Sequence, residues 1–128
     1  MITGVYAALL ALLICALAFN VIKARRKHKI KYGDGSVQAL EMARSAHSNA
    51  AEYIPITLIL LFLLEQSGAD GRLIHAAGIV FLIGRVLHAK AILGDQLKGR
   101  RLGMQITFFI IFFLAMLNAV YFFRAGRL

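Results

Sequence analysis

The residues able to do chemistry in this chain sit on one polar run and at the edges of apolar ones. Between Arg44 and Pro55 the sequence reads Arg-Ser-Ala-His-Ser-Asn-Ala-Ala-Glu-Tyr-Ile-Pro, and the apolar residues 54–64 follow at once. A membrane-crossing helix needs roughly 20 residues, so a span here must draw in the preceding polar turns and carry Arg44, Asn49 and Glu52 toward membrane depth. Ionisable side chains placed there are costly and mark functional sites by default. At about 100° per residue, Glu41, Arg44, Ser48 and Glu52 share one helix face with Asn49 at its edge. Ala39, Ala43, Ala46 and Ala50 line the opposite face. Arg85 and His88 lie one turn apart on another apolar stretch, and Arg25, Arg26, Arg100 and Arg101 flank the apolar runs. Guanidinium forks suit bidentate capture of carboxylates, and one carboxylate among them suits an amine, so the implied ligand is small, multiply charged and cytosolic. Glu52 and Arg85 also fit a structural ion pair, because an intramembrane charge needs a partner whether or not it binds anything.

The elements that position these groups follow from composition. The chain has 128 residues, is 60% hydrophobic, and concentrates its charge in a few clusters, a pattern foreign to soluble domains of this size. Four apolar stretches near membrane-spanning length predict an all-α fold: a four-transmembrane-helix bundle in a single domain over residues 1–128. Its helices are expected at roughly residues 2–25, 37–66, 72–94 and 100–124. Gly33-Asp34-Gly35 is a turn signal, with Asp34 or Ser36 as the expected cap of the second helix. Pro55 interrupts that helix's hydrogen-bond ladder and predicts a kink.

The net charge of +9 belongs to membrane-flanking segments, and no aromatic-rich basic surface accompanies it, so nucleic acid is excluded as a partner. Lys23, Arg25, Arg26, Lys27, Lys29 and Lys31 lie between the first two spans, and Lys98, Arg100 and Arg101 between the last two. By the positive-inside rule both basic loops are cytoplasmic and both termini lie outside; Arg124 and Arg127 run against this bias. The first stretch lacks a basic leading region and reads as a span rather than a cleaved signal. Cys15 within it supplies no disulfide and no metal site. In this topology Arg25, Arg26, Arg44, Asn49, Glu52, Arg85, His88, Arg100 and Arg101 converge on the cytoplasmic leaflet. The opposite leaflet offers only Glu65 and His75.

His47 falls off the polar face and reads as a packed histidine. His88 fits binding and structural roles equally, as does Tyr53, and the phenylalanines of the last span read as packing. The Ala-His-x-Asn-x-x-Glu-Tyr-x-Pro run from Ala46 to Pro55, Gly-Arg-Val-Leu-His from Gly84 to His88, and four spans of this spacing together resemble the MAPEG family, membrane-associated proteins in eicosanoid and glutathione metabolism, and specifically its small bacterial members. The resemblance implies a four-helix protomer assembled as a homotrimer, with glutathione as co-substrate held between neighbouring subunits near the cytosolic face. It places glutathione binding on Asn49 and Glu52, the family's following aromatic on Tyr53, its third-helix arginine on Arg85, its paired arginines on Arg25 and Arg26, and its thiolate-stabilising arginine on Arg101. Ser45 stands where the family usually has arginine, with Arg44 one residue earlier, and Ile92 stands where many glutathione-binding members have tyrosine.

The expected function is therefore that of a multi-pass inner-membrane protein that binds glutathione or a similar small anionic thiol. It would conjugate that thiol to a lipophilic electrophile, or reduce the electrophile with it, and no metal would take part. An arginine beside a thiol, which titrates near 8.5 when free, populates the nucleophilic thiolate at neutral pH. Two other classes remain open. A small proton-coupled multidrug exporter also depends on one intramembrane carboxylate, held near the midplane. A non-catalytic membrane-organising protein would account for Ser45 and Ile92.

Overall fold

The structure is a computed structural model that describes residues 1–124 and Gly126; Arg127 lies outside the described residues. Four helices follow one another, α1 (Thr3–His28), α2 (Gln38–Gln66), α3 (Gly71–Leu93) and α4 (Leu97–Arg124). Each is long and apolar enough to cross a membrane, and no strand occurs among the described residues.

The helix ends differ from the sequence expectation where basic residues gather. α1 continues through Arg26, Lys27 and His28 and stops only at Lys29, whose left-handed backbone (φ 55°) returns its N–H to the Arg25 carbonyl. Lys98 is helical as well, because α4 begins at Leu97 rather than near residue 100, and Arg100 and Arg101 lie inside it as expected. Lys and Arg are good helix formers, so a charge cluster ends a span without ending its helix. The turn before α2 also departs from expectation. Asp34 accepts the Ser36 N–H at 3.0 Å and neither residue caps the helix, which starts from Val37 without a side-chain cap. Ser36 (φ 60°), Gly33 (φ 64°) and Gly35 (φ 57°) all sit in the left-handed region, a conformation that favours glycine.

α2 and α3 form the centre. α1 packs on α2 and α3, α4 packs on α3 and α2, and α1 does not touch α4. α2 buries its small face, Ala43, Ala46 and Ala50, together with Leu40, Ile54, Leu61 and Leu64; Ala39 is exposed and Leu40 fills the place expected for it. α3 meets α4 through glycines. A Cβ at Gly103 would lie 2.5 Å from the His88 Cβ, and one at Gly84 would lie 2.6 Å from the Ile106 side chain. Close backbone approach through small residues is how helices associate where lipid removes the hydrophobic driving force. α2 runs through Pro55 as one helix. Asn118 of α4 reaches across to α2, donating to the Leu60 carbonyl at 2.9 Å.

At the end away from the basic residues, the Glu65 carboxylate accepts the backbone N–H groups of Ile2 and, at 2.8 Å, Thr3. The donors that begin α1 are thus capped by a different helix. Nearby, the Tyr6 hydroxyl meets the His75 ring at 2.8 Å. Outward faces are apolar, with Leu12 67%, Phe19 69%, Phe112 68% and Phe123 70% exposed, as lipid contact requires.

Candidate functional site

At the basic end residues of all four helices and the α1–α2 loop border an open cavity of about 860 Å³. α2 supplies most of the wall, because its polar face turns away from the packed alanine face. Glu41, Arg44, Ser45, His47, Ser48, Asn49 and Glu52 line the cavity from that helix, with Val21 and Arg25 from α1, Asp34 from the loop, His88 and Ile92 from α3, and Leu97, Arg100, Arg101 and Met104 from α4. Arg100 and Arg101 reach this wall because α4 has already started when the chain returns to the membrane.

Of the residues singled out from sequence, Arg25, Arg44, Asn49, Glu52, His88 and Arg101 share this cavity, and Arg26, Tyr53 and Arg85 do not line it. Arg26 is exposed on the far side of α1, as expected for the neighbour of an inward-facing helical residue. Arg25 is half engaged: its Nη1 donates to the Gly33 carbonyl at 2.9 Å and the Lys31 carbonyl at 3.3 Å, so it holds the α1–α2 loop. Arg44 meets Asp34 at 3.5 Å in an exposed pair. Ser48 donates to Glu52 at 3.3 Å. The Ser48–Glu52 edge of α2 is otherwise open.

Arg85 lies immediately behind the wall and is fully buried. The structural ion pair with Glu52 considered from sequence does not form. Glu52 is on the exposed face of α2, whereas Arg85 is enclosed by α2 and α4. Its Nη2 donates to Asn49 Oδ1 at 2.6 Å, and its Nη1 donates to Thr107 Oγ1 at 3.3 Å. His88 Nδ1 lies 3.5 Å from Nη2. The Arg85 Nε has no partner among the described residues. Thr107, which itself donates to the Gly103 carbonyl at 2.8 Å, was not singled out from sequence. An isolated hydroxyl in an apolar span, one turn after a glycine, was the available signal. Tyr53 packs edge-on against Phe108 with ring centroids 5.5 Å apart, and the Arg85 guanidinium carbon lies 6.0 Å from its ring centroid.

The cavity is therefore zwitterionic rather than simply cationic. Arg25, Arg44, Arg100 and Arg101 share it with Asp34, Glu41 and Glu52. Asp34 was not among the expected site residues and enters because the loop lies against the start of α2, where it meets Arg44; Glu41 lines the space from the α2 face on which its spacing placed it. His47, read from sequence as packed, is half-buried and lines the space. Ser45 and Ile92, the two departures from the family pattern, both face it. Arginines suit carboxylates, and Glu41 and Glu52 with Ser48 suit an ammonium group.

A four-helix membrane protein with a polar cavity confined to one end is the class these features define. The chain belongs to the MAPEG family, whose model matches residues 3–120. It is similar to proteins named "Inner membrane protein YecN" in two strains of Escherichia coli, each 36% identical over 121 residues that cover 94% of this chain and 92% of the relative.

Proposed function

We propose that this chain is a homotrimeric inner-membrane protein that binds glutathione, or a related anionic thiol, in the basic-end cavity and delivers it to lipophilic electrophiles from the bilayer. The observation that carries this reading is the charge pattern of the cavity, with four guanidinium groups and the carboxylates of Glu41 and Glu52 around one water-accessible space. Glutathione has two carboxylates, one ammonium and one thiol. Arg44 and Arg100 suit its carboxylates, Glu52 its ammonium, and Arg101 its sulfur, where a guanidinium favours the thiolate. The basic end faces the cytoplasm by the positive-inside rule, which gives the soluble thiol access, and both termini face outward. The relatives named as inner membrane proteins support placement in that membrane.

The trimer is supported by what a single protomer leaves uncovered. Arg44, Ser48 and Glu52 are exposed on α2, and ionisable groups of a span face a bundle interior or an aqueous cavity rather than lipid. A neighbouring subunit against this edge closes the site. Proximity of a bound thiolate to an electrophile entering sideways would then supply the rate.

Titration calorimetry of glutathione into the detergent-solubilised protein tests the reading. Heat of binding is expected, with weaker binding in Arg44→Ala and Glu52→Gln; no heat at millimolar glutathione overturns it. Binding without turnover is the second reading, favoured by Ser45 and Ile92 standing in the cavity wall. An activated aryl halide separates the two, since the catalytic reading requires glutathione consumption that falls in Arg101→Ala.

A further inference from the structure

One charged surface takes no part in the cavity. Lys23, Arg26 and Lys27 are exposed on the last turns of α1, and none of them lines the cavity. The ion pair among the described residues is Arg44 with Asp34, so these three cations have no carboxylate partner there. On a helical projection of about 100° per residue they continue the stripe formed by Leu12, Ala16 and Phe19. That stripe points away from the buried face of α1, which carries Tyr6, Leu10 and Leu17. Leu12 is 67% exposed and Phe19 69%.

We propose that this face of α1 is a binding site for an anionic phospholipid, with an acyl chain along Leu12, Ala16 and Phe19 and the headgroup phosphodiester held by Lys23, Arg26 and Lys27. Lys23 follows Phe19 by one turn, a rise of about 6 Å, so the cations stand where a headgroup meets its chains. A free phosphate would use only the three cations; the apolar stripe leading directly into them selects a lipid. Juxtamembrane Lys and Arg clusters attract anionic leaflets through the same charge complementarity, and here the helix confines them to one lipid-facing edge. Arg25, one position away, is turned inward and occupied by the Gly33 carbonyl, which separates this lipid site from the cavity.

Native mass spectrometry of the full chain, released from micelles holding equal amounts of phosphatidylglycerol and phosphatidylcholine, tests the site. Retention of phosphatidylglycerol over phosphatidylcholine by about tenfold is expected, falling to parity in the Lys23→Gln/Arg26→Gln/Lys27→Gln variant. The Lys29→Gln/Lys31→Gln variant, altered in the adjoining segment off this face, is expected to keep the preference, and excess soluble glycerol phosphate should not displace the lipid. Unchanged preference in the triple variant, or displacement by glycerol phosphate, overturns the proposal. So does an altered oligomeric mass with lipid retention intact, which would assign the face to a second copy of the chain.

Discussion

Replacing Asn49 with alanine removes the shortest hydrogen bond made by a fully buried guanidinium. Arg85 Nη2 then keeps only His88 Nδ1 at 3.5 Å, Nη1 keeps Thr107 at 3.3 Å, and Nε is already unpartnered among the described residues. A hydrogen bond to a charged group contributes about 1.5–3 kcal/mol, whereas interhelical bonds inside membranes average about 0.6 kcal/mol. Burial and charge place this one in the upper range, so Asn49→Ala is expected to cost about 2 kcal/mol, roughly thirtyfold in the folded-to-unfolded ratio. The chain has no tryptophan, so the assay is far-ultraviolet circular dichroism during titration from mild detergent into dodecyl sulfate. The cycle with Arg85→Met isolates the pair. Asn49→Leu/Arg85→Met should be less destabilised than the sum of its single variants, because removing both partners leaves no buried charge without its acceptor. An Asn49→Ala midpoint within about 0.5 kcal/mol of the parent, or strict additivity, would refute the reasoning.

Gly103→Ala forces a methyl group against the His88 backbone, which cannot rotate away. A loss of about 1–3 kcal/mol is expected in the same titration, whereas Gly4→Ala, with nothing within 4 Å of the added carbon, should change little. Glu65→Ala removes the cap on α1, so hydrogen exchange at Ile2 and Thr3 should accelerate while α3 amides keep their protection; equal rates would show that the carboxylate does not hold that end. Arg44→Ala breaks an exposed pair with Asp34, and such pairs contribute about 0–1 kcal/mol. Its melting temperature should therefore stay near that of the parent while glutathione heat declines, and the opposite pattern would make Arg44 a structural residue.

Hydropathy alone was enough to read four helices, because a span of this length in an apolar chain has few other solutions. Their ends were harder. Arg26, Lys27 and Lys98 look like loop residues to a charge count and yet continue their helices, since the membrane boundary and the helix boundary need not coincide. The polar face of α2 was legible from spacing, as was the approach of His88 and the arginines to one end. The depth of Arg85 was not legible. Whether an arginine on α3 meets Glu52 or Asn49 depends on how α3 is rotated about its own axis, and the close α3–α4 fit of Gly84 against Ile106 and Gly103 against His88 holds one rotation. Thr107 became its partner for the same reason. Asp34 entered the cavity through the path of a loop, which no periodicity encodes, whereas Glu41 entered on the α2 face where its spacing had placed it.

α1 has no contact with α4, yet it is tethered at both extremities, by Glu65 at its start and by the Arg25 grip on the following loop. Bilayers differ in thickness, and a helix too long or short for its surroundings responds by leaning. In this molecule the strut free to lean is seated away from the α3–α4 seam, so a change in the surrounding lipid would reach the polar chamber through Val21, Arg25 and the loop that Arg25 holds.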